Sequence, residues 1–335
     1  MSKVRVVILG CGGMSGAHAG RFKSNPDVQI VGLCDVNDEI VNAYIDRNLK
    51  DYAPRPEVFV DPAKMYAALK PDAVTIVTPH TQHFEQAMQA LDAGCHVLME
   101  KPMVTQADHA HKLSEKVKQT GKVFVIGYNS PCSPEFGYLR DVIRNKTLGK
   151  LELVVGYLSQ NWMKFTTGLW RQVPALSGGG QAYDSGAHLL NSLCWSVESD
   201  VDCVFAFVDN HGTQVDINST INVRFSNGVL AAIAVSGNCP KTDNHMSFIF
   251  EGGKIDIDGW NGSWIKVSKG DGQDIKYPPI EGQTQSSNDN FIDAILGRAQ
   301  ARTSANNGII QSELMDAIYE SAKTGKPAKP KKWQA

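Results

Sequence analysis

Two groupings in this chain have residue types and spacings that could do chemistry. The first is a lysine closing an apolar run, in His96-Val97-Leu98-Met99-Glu100-Lys101-Pro102. Val97, Leu98 and Met99 read as a short buried strand. Pro102 cannot donate to a ladder and should end it. Lys101 then lies near the carboxyl end of a strand, the edge at which parallel α/β sheets bind ligands. Bordered by apolar chain and by Glu100, such a lysine can donate a hydrogen bond or have its pKa tuned; the alternative is a solvated surface lysine. The second grouping follows the glycines Gly178-Gly179-Gly180 and contains Asp184, His188 and Asn191. If this stretch is one helix, the three stand at i, i+4 and i+7 and share a face, while Leu189, Leu190 and Leu193 serve the core. A carboxylate one turn from an imidazole can orient it and raise its basicity. Such pairs are also common as plain structural contacts, and geometry decides between the two. The glycine triplet speaks for a site, because it lets a ligand approach closely.

Both groupings need elements to hold them. Val4 to Leu9 is a compact β-branched run, expected for a strand buried on both faces. It leads into Gly10-Cys11-Gly12-Gly13-Met14-Ser15-Gly16-Ala17-His18. A strand, a glycine turn and a helix bring backbone N–H groups to a pyrophosphate. Gly10 makes the tight turn, Gly12 admits the phosphate, and Ser15 stands where the third glycine of the pattern is expected. The next strand, Gln29 to Cys34, ends at Asp35, about twenty residues on, where a dinucleotide fold places a carboxylate on the ribose 2′-hydroxyl. Asp35 could otherwise cap a turn. Its carboxylate repels a 2′-phosphate and no arginine follows at once, so NAD is favoured over NADP. Asp61-Pro62 opens a helix running to about Leu69. Ala73 to Val77 is a strand ending in Thr78-Pro79, and a helix from about His83 stops at Gly94. Val123 to Ile126 is a further strand. This alternation predicts a parallel doubly wound sheet, with a domain boundary near Gly127.

Beyond it the pattern changes. One helix, about Glu135 to Asn145, leads to closely spaced strands with short glycine turns, which imply a mostly antiparallel sheet. Asn290 to Leu296 and Ile309 to Ala322 read as closing helices. The expected domains are therefore 1–127 and 128–335.

Composition narrows the function. At 335 residues, two domains are expected. With 42% hydrophobic and 20% charged residues and a formal charge of −2, nothing points to nucleic acid. No apolar run is long enough to span a membrane, and the N-terminus carries no signal peptide pattern. The basic tail from Lys326 to Lys332 is short and broken by Pro327 and Pro330. Seven cysteines without a Cys-x-x-Cys pair read as reduced thiols of a cytoplasmic protein, with no metal spacing.

Taken together, the chain resembles the Gfo/Idh/MocA oxidoreductases over nearly its whole length. The features that carry the resemblance are the glycine loop with His18, Thr78-Pro79 followed by His83, Glu100-Lys101-Pro102, Trp170-Arg171, the glycine triplet, and Asp184-x-Gly186-x-His188. The resemblance implies a Rossmann domain followed by a C-terminal α/β domain with an open, mostly antiparallel sheet. That sheet often packs on another subunit, so a homodimer or homotetramer is expected.

The same resemblance implies residue roles. Lys101 would hydrogen-bond the reacting hydroxyl and assist proton transfer. His188 would be the base taking that proton as hydride moves to nicotinamide C4, and Asp184 would orient substrate or His188. Gly10, Gly12, Gly13, Met14, Ser15, Asp35, Thr78, Pro79, His83, Glu100, Lys101, Trp170 and Arg171 would line the cofactor. Tyr128, Asn129 and Trp162 would contact substrate; packing in the core is the alternative for the two aromatics. Asn191 departs from the family, many members of which carry a second aspartate there. An amide cannot ionise, so His188 should be less basic, which bears on the substrate class. The implied activity is NAD-dependent oxidation of a secondary alcohol of a sugar, inositol or related polyol. Two other readings use the same residues. One is a glycosidase or epimerase that recycles bound NAD through transient oxidation. The other is a non-enzymatic NAD or sugar sensor.

Overall fold

The computed structural model describes residues 2–331 and 333; Lys332, the end of the basic tail, lies outside them. The chain forms two compact units. The first comprises the residues up to Val104, His109–Gly127 and Ser286–Asn306; the second comprises Thr105–Asp108, Tyr128–Gln285 and the residues from Asn307.

The first unit holds a six-stranded parallel sheet of β1 (Val4–Leu9), β2 (Val28–Cys34), β3 (Glu57–Phe59), β4 (Ala73–Ile76), β5 (His96–Met99) and β6 (Phe124–Ile126), in the order β3-β2-β1-β4-β5-β6. The order reverses between β1 and β4, and the crevice outside the carboxyl ends at such a point is where doubly wound folds bind ligands. The helices are α1 (Ser15–Ser24), α2 (Asp38–Asn48), α3 (Pro62–Leu69), α4 (His83–Asp92) and most of α5 (Ala107–Thr120). Asp61 caps α3 as its Asp-Pro signature predicts, accepting from the N–H groups of Ala63 and Lys64. Two short elements, β3 and α2, were not among those expected.

The segment Ser286–Asn306 packs with the first unit, whereas the expected boundary gave everything past residue 127 to the second. Phe291 and Ile292 join the apolar cluster of Ile8, Leu98 and Val125. Farther along, the Ile126 N–H donates to the Thr303 carbonyl at 2.9 Å, and the Thr303 hydroxyl donates to the Ile126 carbonyl at 2.6 Å. β6 is an edge strand with unpaired backbone groups, and the returning segment covers them.

The second unit contains α6 (Pro134–Asn145), short turns α7 (Trp162–Phe165) and α8 (Pro174–Ser177), and α9 (Gly186–Val197). Its eight-stranded sheet is built from β7 (Leu151–Ser159), β8 (Val201–Asp209), β9 (Asn218–Phe225), β10 (Leu230–Ser236), β11 (Asp243–Phe250), β12 (Gly253–Ile257), β13 (Ile265–Lys269) and β14 (Asp274–Ile275). All neighbours are antiparallel except β7 and β10. One sheet face packs on α6 and α9 and on Leu314, Met315 and Ile318 from the second of the closing helices, α10 (Ser287–Ile295) and α11 (Ala305–Thr324). Strict alternation sends Val155, Tyr157, Phe207 and Leu230 to the other face, where they are exposed. Among the described residues no helix is long and apolar enough to cross a membrane.

Candidate active site

In the first unit the glycine loop leaves β1 and enters α1. Gly10 has φ of +97°, and a Cβ there would come within 2.6 Å of the Val77 carbonyl oxygen at the end of β4. Only glycine tolerates both the left-handed backbone and that approach. Gly12 and Gly13 face open space, and Met14 is exposed. Ser15 is buried at the start of α1 and its hydroxyl donates to the Gly12 carbonyl at 2.6 Å, closing the loop in place of a third glycine. The loop thus presents open backbone at a helix N-terminus, which suits a pyrophosphate.

Asp35 follows β2 directly. Its Oδ2 accepts the Cys11 N–H at 2.6 Å, and its Oδ1 accepts the Val36 N–H at 2.7 Å. The carboxylate is thus held against the glycine loop itself. The buried thiol of Cys11 is pushed up to about 12 by burial and by the Asp35 charge, so it stays protonated and inert. These features fit the adenosine half of a dinucleotide: open N–H groups for phosphate, and a fixed anion for a ribose diol.

Thr78 and Pro79 follow β4, and Glu100 and Lys101 follow β5. The Thr78 hydroxyl donates to Gln86 Oε1 at 2.5 Å. His83 lies beneath these loops, with Nδ1 2.8 Å from the Pro102 carbonyl and Nε2 3.0 Å from that of Thr78. Burial pushes its pKa below the usual imidazole range, outweighing the two carbonyls and Glu100. A neutral His83 has one N–H and donates to only one of these two carbonyls, while the buried ring packs between the β4 and β5 loops. Glu100 turns inward: Oε1 accepts from His18 Nε2 at 2.7 Å, and Oε2 from the Lys101 N–H at 3.2 Å. His18 Nδ1 meets Asn288 Oδ1 at 3.1 Å, and Arg21 donates to the same oxygen at 3.2 Å. His18 and Asn288 thus complete a buried chain behind Lys101. No role was expected of Asn288, because nothing local in its sequence marks it.

In the second unit Asp184 and His188 are arranged differently from the single helix expected. α9 begins at Gly186. Asp184 precedes it in a turn in which its N–H donates to the Gly180 carbonyl and that of Gly186 to the Gln181 carbonyl. Asp184 Oδ2 accepts from Trp162 Nε1 at 2.8 Å and from Arg171 Nε at 3.0 Å. Asp184 therefore stands in the turn two residues before α9, and not on the helix that carries His188. Trp170 and Arg171 occupy a short 3-10 turn, with the guanidinium 4.5 Å above the Trp170 ring.

The glycine triplet also has a cause other than ligand approach. Asp216 accepts from the N–H groups of Gly180 (2.7 Å) and Ala182 (2.8 Å) and from the Tyr319 hydroxyl (2.5 Å). A Cβ at Gly180 would overlap the Asp216 backbone. The glycines fit the chain under this buried clamp, which sets the turn that carries Asp184.

His188 is 8% exposed and lies between aromatic rings. The Trp260 ring stacks on it at 4.3 Å and 20°, and the Tyr128 ring meets it edge-on at 5.6 Å and 90°. Asn129 Nδ2 reaches Asn261 Oδ1 at 3.4 Å, on the same loop as Trp260. Tyr128 and Trp162 are both buried. One turn beyond His188, the Asn191 amide nitrogen is buried without a hydrogen-bond partner among the described residues. Such a donor costs about 1–3 kcal/mol until something accepts from it.

Residues 4–128 match an oxidoreductase family with an NAD-binding Rossmann fold, and residues 136–256 match the GFO/IDH/MocA C-terminal domain. The D-glucoside 3-dehydrogenase of Escherichia coli (strain K12) is 24% identical over 350 residues, 97% of either chain. The D-xylose 1-dehydrogenase [NADP(+)] of Haloarcula marismortui is 23% identical over 96% of this chain and 91% of its own. The solved WlbA dehydrogenase of Bordetella pertussis, in complex with NADH and UDP-GlcNAcA, has the same fold: TM-score 0.82 at 21% identity over 98% of both chains.

Proposed function

Because this chain belongs to the Gfo/Idh/MocA oxidoreductase family, we propose that it oxidises a secondary alcohol of a sugar, inositol or related polyol with NAD. The observation that carries the reading is the Gly10–Ser15 loop with the Asp35 carboxylate fixed against it. A carboxylate accepts from a ribose diol and repels a 2′-phosphate, which supports NAD although one relative is named for NADP. When bound, NAD supplies the hydride acceptor. The chain's own residues handle the proton. His188 takes it from the substrate hydroxyl, Lys101 donates a hydrogen bond to the same oxygen, and Asp184, fixed by Trp162 and Arg171, orients the substrate. His83 and Glu100 hold the loops bearing Thr78 and Lys101. Tyr128, which meets the His188 ring, Trp162, which holds Asp184, and Asn129 contact the substrate. The D-glucoside and D-xylose dehydrogenases among the relatives support a carbohydrate substrate.

Seven free thiols fit a cytoplasmic setting, and the exposed Val155, Tyr157, Phe207 and Leu230 on the outer face of the eight-stranded sheet suit assembly into a homodimer or homotetramer. The test is nicotinamide absorbance with a panel of sugars, inositols and anhydrosugars. Steady growth of the reduced band with NAD, and much slower growth with NADP, is expected for one compound. A band equal to the enzyme concentration that then stops would replace this reading with internal cofactor recycling. NAD binding without reduction by any compound would favour a sensor.

A further inference from the structure

The loop between β12 and β13, Asp258 to Trp264, is tightly built for a surface connection. Asp258 is buried and gathers the loop around its carboxylate. Oδ1 accepts the Trp260 N–H at 3.0 Å; Oδ2 accepts the Ser263 N–H at 3.0 Å and the Ser263 hydroxyl at 2.6 Å. Burial alone would raise this carboxyl, but these donors hold it below the usual range. The Trp260 N–H also faces Asn244 Oδ1 at 3.1 Å, on β11. On the other side, the Ser192 hydroxyl of α9 donates to the Gly259 carbonyl at 2.7 Å and pairs with Ser130 at 2.8 Å. Ser192 lies one turn beyond His188 on α9. The loop is therefore fastened to the strand beside it and to the helix that carries His188.

What this fastening delivers is the Trp260 ring, 4.3 Å from His188 and within 20° of parallel. A histidine χ2 is broad and poorly restrained by its own rotamer wells. A near-parallel indole on one face and the perpendicular Tyr128 ring restrict it to one plane. An indole face also attracts the positive charge of an imidazolium more than that of a neutral imidazole. Such an interaction grows as the proton arrives, so it favours the transition state over the ground state.

We propose that Trp260 is a positioning residue for His188, holding the imidazole in plane for the proton it receives and stabilising the imidazolium that results. This rests on the reading of His188 as the base. The proton passes from the substrate hydroxyl to the imidazole and the hydride to NAD, so Trp260 adds no co-reactant. It acts through His188 alone, which separates it from a residue that forms a wall for the sugar.

The experiment combines NMR of the histidine ring protons with steady-state kinetics, on the full chain with NAD and the compound that reduces it in the panel above. The nine histidines are sorted by the signals lost in His188→Ala. Indole ring currents place the His188 ring signals upfield. Trp260→Leu should move them downfield, and Trp260→Phe should largely retain them. In turnover, Trp260→Leu should lower kcat about tenfold or more with KM within about threefold, and Trp260→Phe should recover most of the rate. In the His188→Ala background Trp260→Leu should cost nothing further. Unmoved His188 signals, a rise in KM at constant kcat, or an equal loss in both backgrounds would overturn the proposal. Full turnover in His188→Ala would instead remove the parent reading. That pattern is distinct from an inactive His188→Ala beside an unaffected Trp260→Leu.

Discussion

At the scale of single residues, Asp35 carries the proposed preference for NAD. Its two oxygens are committed to the N–H groups of Cys11 and Val36, so the charge cannot swing away from the loop. Asp35→Asn keeps a hydrogen-bonding side chain and removes the repulsion. We expect its kcat/KM for NADP relative to NAD to rise about tenfold, the size of one lost charged interaction. An unchanged ratio would remove Asp35 from cofactor selection. His83 makes a second prediction. Its folded pKa is lowered by burial, while the unfolded imidazole titrates near about 6.5. Below that pH the unfolded chain binds a proton that the folded chain refuses, so the fold loses stability as pH falls through this window. His83→Gln lacks that proton. Its Tm should decline less than wild type between pH 7 and pH 5, and parallel curves would refute the neutral assignment.

At the scale of elements, α6 and α9 are joined by Glu198, the residue that ends α9 in a left-handed conformation. It accepts from Arg144 at 2.6 and 2.7 Å and from Arg140, whose guanidinium also lies 3.9 Å over Trp195. Burial would raise the Glu198 carboxyl, yet the hydrogen bonds of Arg144 and Arg140 bring it down to about 2. A depressed carboxyl stabilises the fold above its unfolded pKa, about 4.3, and that contribution is lost as pH falls toward the folded value. Glu198→Gln should therefore be less stable than wild type at pH 7, by about 1 kcal/mol after allowance for its partial exposure. Denaturation curves of the two should converge between about pH 4 and pH 2. A gap that persists at pH 2 would assign the effect to packing instead of charge. Elements also determine where the site residues stand. α9 starts at Gly186 because the Asp216 clamp holds residues 180–182 in a turn, which turns Asp184 toward Trp162 and Arg171.

For the whole molecule, the outer face of the eight-stranded sheet is the open question that chemistry can answer. Val155, Tyr157, Phe207 and Leu230 are 43%, 41%, 62% and 49% exposed on one surface. Val155, Tyr157 and Leu230 stand on the adjoining strands β7 and β10, with Phe207 beyond Thr220 of β9, and an exposed apolar patch on a sheet marks an interface more often than a solvated face. We expect sedimentation to give a dimer or larger, and Val155→Lys with Leu230→Lys to give a monomer that still binds NAD. A wild-type monomer across micromolar concentrations would refute assembly through this face.

The sequence by itself determined what local signals can encode. Buried β-branched runs, a glycine loop, Asp35 at a strand end and the Asp61-Pro62 cap made five of the six strands of the first sheet legible, β3 excepted, because strand period, glycine φ and proline are properties of a few neighbours. The spaced strands of the second sheet were legible for the same reason, and so was the family. Only the tertiary structure decided which groups meet. The return of Ser286–Asn306 to cover β6, the His18 contacts across 82 and 270 positions, Asp184 beneath Trp162 and Arg171, and Trp260 against His188 join residues far apart in the chain. Such contacts depend on which buried groups meet and on satisfying each buried donor and acceptor, and a pairing between distant positions leaves no periodic mark in the sequence.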